Sequence, residues 1–168
     1  ALPVRNPEEL CVVPGLHSYL RFERLRESNE VFSGLAATHA LLEMEFSLPG
    51  DGPGAGNFPA KAELVTGSYF DLLGVKARLG RTIQLEDDRA PEISPVAVIS
   101  HRFWQRAFAG APDVLGRTIR VRSSAGNAST AGLDIYDGAA GRSRDGAALT
   151  IVGVAPPDFF GGTVGVFK

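Results

Sequence analysis

Polar and apolar residues alternate along Glu43-Met44-Glu45-Phe46-Ser47-Leu48, the period-two pattern of a strand with one buried face. A weaker alternation follows in Lys61-Ala62-Glu63-Leu64-Val65, and the two segments predict a hairpin. Residues 49–59 between them (Pro49-Gly50-Asp51-Gly52-Pro53-Gly54-Ala55-Gly56-Asn57-Phe58-Pro59) are too rich in backbone breakers for helix or strand, so an exposed loop is expected. Two β-branched runs, Thr118-Ile119-Arg120-Val121-Arg122 and Leu149-Thr150-Ile151-Val152-Gly153-Val154, predict a second hairpin. Its connection, residues 123–148, is mostly Gly, Ala, Ser and Thr. It reads as an expanded surface turn, with Leu133-Asp134-Ile135-Tyr136 as a candidate short strand.

Three segments carry helical patterns. Over residues 18–29, Ser18 can cap the start, and Leu16, Tyr19, Leu20, Phe22 and Leu25 supply a broad apolar stripe among Arg and Glu. A short helix follows Thr66-Gly67-Ser68, carries Tyr69, Phe70, Leu72 and Leu73, and stops at Gly74, a natural left-handed cap. The third, residues 101–109, is capped by Ser100, presents Phe103, Trp104 and Phe108, and is closed by Gly110. The apolar run Pro95-Val96-Ala97-Val98-Ile99-Ser100 precedes it. Strand, helix and the strand at Thr118 to Arg122 are therefore expected to form a βαβ-like unit.

Composition narrows the function classes. The chain has 168 residues, 44% of them apolar and 21% charged, and a mean hydropathy of +0.03, enough for a real core without disulfides. Seventeen basic and nineteen acidic residues leave a net charge of −2, so the cationic field of a nucleic-acid binder is missing. No apolar run reaches the roughly 18 residues of a membrane span, and no signal peptide opens the sequence at Ala1. The lone cysteine, Cys11, sits in Leu10-Cys11-Val12-Val13 and is expected to be a small buried hydrophobe.

Catalytic chemistry finds little to work with. The three histidines, His17, His39 and His101, fall in different segments, and the sequence holds neither a Gly-x-Ser-x-Gly elbow nor a His-Glu-x-x-His zinc helix. The Gly50 to Gly56 run lacks the Gly-Lys-Ser/Thr of a phosphate loop, and it meets Ala55 or Asn57 where a dinucleotide fingerprint needs its third glycine. Glu86-Asp87-Asp88 is the strongest carboxylate cluster. Adjacent carboxylates point different ways and Arg81 and Arg89 flank them, so an acidic turn is expected rather than a calcium site. Asp134-Ile135-Tyr136-Asp137-Gly138 lacks the further ligands of a calcium loop, and Asn127-Ala128-Ser129 is a glycosylation triplet of no weight here. Phe103, Trp104 and Phe108 read as helix core rather than a ligand cage. No catalytic, cofactor-binding or metal-binding residue is assigned.

Several blocks, in this order, resemble one family. They are Leu2-Pro3-Val4-Arg5-Asn6-Pro7-Glu8-Glu9-Leu10, Val31-Phe32-Ser33-Gly34-Leu35-Ala36, Leu64-Val65-Thr66-Gly67-Ser68-Tyr69-Phe70-Asp71-Leu72-Leu73-Gly74-Val75 and Leu79-Gly80-Arg81. Then come Pro95-Val96-Ala97-Val98-Ile99-Ser100-His101-Arg102-Phe103-Trp104-Gln105-Arg106, Val114-Leu115-Gly116-Arg117-Thr118-Ile119, and Ile151-Val152-Gly153-Val154-Ala155-Pro156-Pro157-Asp158-Phe159. Together they resemble the MacB-like periplasmic core domain of ABC transporter permeases, in particular the acidobacterial duplicated orphan permeases.

The resemblance implies an α+β fold of two lobes of mixed sheet with short helices. The first, porter-like lobe would cover residues 1–75 and be incomplete; the second, sabre-like lobe would cover residues 76–168 and carry the inserted loop 123–148. It also implies a periplasmic domain of an inner-membrane protein that does no chemistry of its own and couples cytoplasmic ATP hydrolysis to export or mechanical work on the envelope. Implied partners are the transmembrane helices of a parent permease, an ABC ATPase subunit or domain, and a periplasmic adaptor or second permease copy, with no nucleic acid. The rival reading is a soluble extracytoplasmic binding or adhesion module of the same fold.

Overall fold

A computed structural model describes residues 4–13, 18–48, 56–88, 95–123 and 147–161. Four helices and six strands alternate along it. They are α1 (Tyr19–Glu27), β1 (Thr38–Leu48), β2 (Gly56–Val65), α2 (Tyr69–Leu73), β3 (Leu79–Gly80), α3 (Leu85–Asp88), β4 (Val96–Ile99), α4 (His101–Phe108), β5 (Thr118–Ser123) and β6 (Ala147–Val154). The strands form one mixed sheet in the order β2-β1-β5-β6-β3, with β4 also on β6. Every pairing is antiparallel except that of β4 with β6. This is the α+β architecture expected from the sequence. Position 75, where the two expected lobes meet, is bridged by this sheet, because β1 pairs with β5 from Met44↔Ser123 to Ser47↔Arg120.

The alternation in β1 does what period two requires. Met44 and Phe46 are buried on one face, with half-buried Leu48 packed beside them, while Glu43 and Ser47 take the other. Helix α4 covers the apolar face. Its Ser100 Oγ accepts from the Phe103 N–H at 3.1 Å, and Phe103, Trp104, Ala107 and Phe108 are all buried. Phe103 meets Phe46, Phe58 and Phe108 edge-on, with ring centroids 5.6, 6.2 and 6.2 Å apart, the arrangement the ring quadrupoles prefer. Ile119, Val121, Ile151 and Val154 complete this core. The Trp104 indole N–H donates to the Ala111 carbonyl at 2.8 Å, so the one polar atom of this side chain is satisfied.

A second, smaller core lies around α2. Tyr69, Phe70, Leu73 and Val75 pack with Ala155 and Phe159, which follow β6. Helix α2 ends at Gly74 in the left-handed conformation (φ 67°), as its sequence predicts.

Four expectations are corrected. First, β2 begins at Gly56, inside the predicted loop; residues 49–55 lie outside the described residues. Pro59 is tolerated because β2 is an edge strand. Its carbonyl accepts from Arg106 Nη2 at 2.7 Å, which turns its missing N–H away from β1. Second, β4, α4 and β5 do not form a βαβ unit, since the parallel neighbour of β4 is β6, and β5 runs antiparallel to β6. Third, the stripe of α1 is not buried. Only Phe22 is; Leu20, about 160° from it around the helix, is 69% exposed, and Tyr19 and Leu25, about 60° to either side of Phe22, are still 41% and 43% exposed, while Leu16 lies outside the described residues. Fourth, Cys11 is exposed along with Val12 and Val13, so apolar neighbours in sequence did not bring it into either core.

The β5–β6 hairpin forms as predicted, joined through residues 124–146. The candidate strand Leu133 to Tyr136, the Asn127 triplet and the Asp134 loop lie outside the described residues.

Candidate functional surface

The predicted candidates do not converge. His101 lies at the start of α4 with its ring edge-on to Trp104 (5.5 Å), and His39 belongs to β1. His17 is outside the described residues. Among the described residues no group of three or more His, Cys, Asp or Glu could hold a metal ion, and no helix is long and apolar enough to cross a membrane.

The acidic cluster is divided between two structural tasks. Asp87 takes a two-pronged contact from Arg81, Nη1 to Oδ2 at 2.6 Å and Nη2 to Oδ1 at 2.9 Å, and its Oδ2 also accepts the Gln84 N–H at 2.8 Å. The Arg81 guanidinium holds the Asp87 carboxyl below its usual range. Asp88 turns the other way and accepts the Gly67 N–H at 2.8 Å. Partial burial, only partly offset by that hydrogen bond and by Arg26, pushes its pKa up.

Gly67 is the centre of a clasp. A Cβ there would stand 2.2 Å from the Gln84 carbonyl oxygen, so only glycine allows the 66–68 turn to lie against the start of α3. On either side, Thr66 Oγ1 accepts the Ala37 N–H at 3.0 Å, and Ser68 Oγ donates to the Leu35 carbonyl at 2.7 Å. Thr66-Gly67-Ser68 therefore ties the entry to β1, the exit of β2 and α3 to one another. The sequence marks it as a strand exit and helix start, but the segments it holds are distant in the chain and no local pattern names them.

Glu63 sits where the sheet meets the second core. Tyr69 Oη donates to its Oε2 at 3.2 Å, whereas Oε1 is buried without a hydrogen-bond partner. Burial raises its pKa; the Thr38 and Tyr69 hydroxyls pull the other way.

These are devices of a scaffold: clasps, caps and an ion pair that hold segments together. A sequence model of the MacB-like periplasmic core domain matches residues 21–167. The chain belongs to that family, a family of periplasmic domains of ABC transporter permeases. No curated protein matches the chain. Among solved structures, the periplasmic region of MacB from Actinobacillus actinomycetemcomitans is similar, with a TM-score of 0.55 at 14% identity, over 82% of this chain and 50% of that one. A domain of a putative permease protein from Porphyromonas gingivalis aligns with a TM-score of 0.46 at 21% identity, over 79% of this chain and 43% of that one. The chain thus spans about half the length of the solved structures it matches.

Proposed function

We propose that this MacB-like domain works as the extracytoplasmic part of an ABC transporter permease, relaying movements of the transmembrane helices that cytoplasmic ATP hydrolysis drives. The outcome is export of a substrate or mechanical work on the envelope. The family match over residues 21–167 carries this reading. The clasped, ion-paired architecture supports it, since a domain that passes on a displacement needs its segments tied firmly together. On this reading the domain has no chemistry of its own, and its partners are the permease's membrane helices and an ABC ATPase, with an adaptor or second permease copy outside the membrane.

The test is made in the complete reading frame. With its ATPase in proteoliposomes, the permease in which this domain is replaced by a short flexible linker should still hydrolyse ATP but lose export. Proteases added outside intact spheroplasts should cut the native domain. Unchanged export without the domain, or protection of the domain in spheroplasts, would overturn the proposal. A reading frame without apolar runs of about 20 residues on either side would favour a soluble binding module.

A further inference from the structure

Helix α1 turns one side to the protein and leaves the other open. Inward, Phe22 is buried, Arg26 stacks over its ring at 5.6 Å, and Tyr19 leans against Phe22 with centroids 6.2 Å apart. Outward, Ser18, Leu20, Arg21, Arg24, Leu25 and Ser28 are all exposed. At 100° per residue, Arg21, Arg24 and Ser28 fall along the middle of that face, with Leu20 and Leu25 on its two borders roughly 140° apart. The outward face is cationic at its centre and carries the leucines at its edges, with exposed Glu27 one heptad beyond Leu20 on the same border. Among the described residues no carboxylate comes within ion-pairing distance of Arg21 or Arg24. Glu23, half-buried, lies near Tyr19 and Asp88 on the inward side.

The chain just beyond α1 is held in a fixed form that exposes more apolar surface. Asn29 Oδ1 accepts the N–H groups of Val31 (3.2 Å) and Phe32 (2.9 Å), and Asn29 Nδ2 donates to the Phe32 carbonyl at 2.7 Å. Val31 is 84% exposed on this braced turn and Phe32 41%. A loop that shows large apolar side chains while fixed by three hydrogen bonds has already lost the conformational freedom that binding would otherwise cost.

We infer that the outward face of α1 is a docking surface for an acidic amphipathic helix of a partner protein, whose carboxylates, one turn apart, sit on Arg21 and Arg24 while flanking apolar residues cover Leu20 and Leu25. The order of groups across the face selects this occupant over a lipid surface. A helix lying in a bilayer interface centres its apolar residues and sends its basic ones to the borders or away from the lipid. Here the basic residues are in the centre, matched to a line of carboxylates at i and i+4 on a facing helix. The inference stands on the chemistry of this face and holds whether or not the domain relays movement.

The probe is a synthetic amphipathic helical peptide with Glu at i and i+4 between leucines, titrated against the labelled chain at two salt concentrations. The expected result is saturable binding that weakens with salt and falls at least tenfold when Arg21→Glu and Arg24→Glu are combined. The Glu→Gln form of the peptide should bind as poorly as that variant. Both arginines are exposed, so circular dichroism should report an unchanged fold, and Arg21→Lys with Arg24→Lys should retain most of the binding. Three outcomes overturn the inference: peptide affinity indifferent to the charge reversal, tighter binding to phosphatidylglycerol vesicles than to the peptide, or self-association of the chain that the reversal abolishes.

Discussion

Helices α4 and α1 obey the same local rules and reach opposite ends. Each starts at a serine whose hydroxyl accepts an N–H three residues on, Ser100 from Phe103 at 3.1 Å and Ser18 from Arg21 at 3.3 Å. Helix α4 then buries four side chains against the sheet, whereas α1 buries one. Capping decides where a helix begins; the arrangement of its apolar residues decides whether it is anchored. In α4 the aromatics gather on one side and meet the aromatics of β1 and β2. In α1 the leucines fall on the borders of an arginine strip, so the helix is tied down by Phe22 alone and its outer face is free for a partner.

The largest expected contrast is in side-chain truncation. Phe103→Ala removes the ring that Phe46, Phe58 and Phe108 all touch, and should cost about 3–5 kcal/mol. Leu20→Ala in α1 should change stability by less than about 0.5 kcal/mol. Urea midpoints of the two variants measure the difference. A Leu20→Ala cost approaching that of Phe103→Ala would mean that α1 is anchored through Leu20 after all.

A middle-sized effect isolates one polar contact of the better anchored helix. Trp104→Phe keeps most of the buried ring but deprives the Ala111 carbonyl of its donor, at a cost of about 1–2 kcal/mol by the same measurement. A cost under a few tenths would show that water replaces the indole N–H.

What was legible in the sequence follows the same division. Short-range rules worked: both serine caps, the Gly74 stop, the alternation of β1 and the aromatic face of α4 are each set by residues within a few positions of one another. Long-range partnerships were not visible. Nothing local to β4 says that it lies parallel to β6 rather than joining β5, and the breakers Gly56 and Pro59 hid the start of β2 because only an edge position tolerates them. The clasp at Gly67 escaped for that reason too, since the backbone it touches belongs to Gln84. Apolar content alone also misled, at Cys11, which lies in no regular element, and at Leu20 of α1, which falls about 160° from the buried Phe22. The family was legible because its blocks combine in one order, which is a global signal.

A smaller effect separates the caps. Ser100→Ala should cost about 1 kcal/mol, within the usual range for a lost N-cap, and Ser18→Ala toward the low end of that range, because α1 can fray without opening a core. Hydrogen exchange checks the second half of this expectation: Ser18→Ala should speed exchange across α1 while leaving α4 and β1 untouched. Faster exchange in the sheet would couple the two regions more tightly than the single buried Phe22 suggests.

The smallest effect is read through pH, to which Glu63, at the seam between the two cores, and Asp87, in α3, respond with opposite signs. Burial raises the pKa of Glu63, so the folded chain binds that proton more tightly than the unfolded chain does. The stabilisation is complete at pH values below the ordinary glutamate value near 4.5 and is lost as pH rises through the elevated folded value. Glu63→Gln should therefore stabilise the domain at pH 7 and lose that advantage near pH 4, the amide keeping an uncharged group beside Tyr69. Asp87 behaves inversely. Arg81 lowers its pKa, so its contribution is present above the ordinary aspartate value near 3.8 and is lost as pH falls through the depressed one; Asp87→Asn should destabilise at pH 7 and become harmless in acid. Because the Arg81 side chain is 42% exposed, screening keeps this second effect small, and it should shrink further in high salt. Thermal midpoints of both variants between pH 3 and 8 make the comparison. If Glu63→Gln were destabilising at pH 7, the ionised carboxylate would have to be accepting more than the Thr38 and Tyr69 hydroxyls at this seam, and the buried Oε1 would be satisfied by a donor in solution.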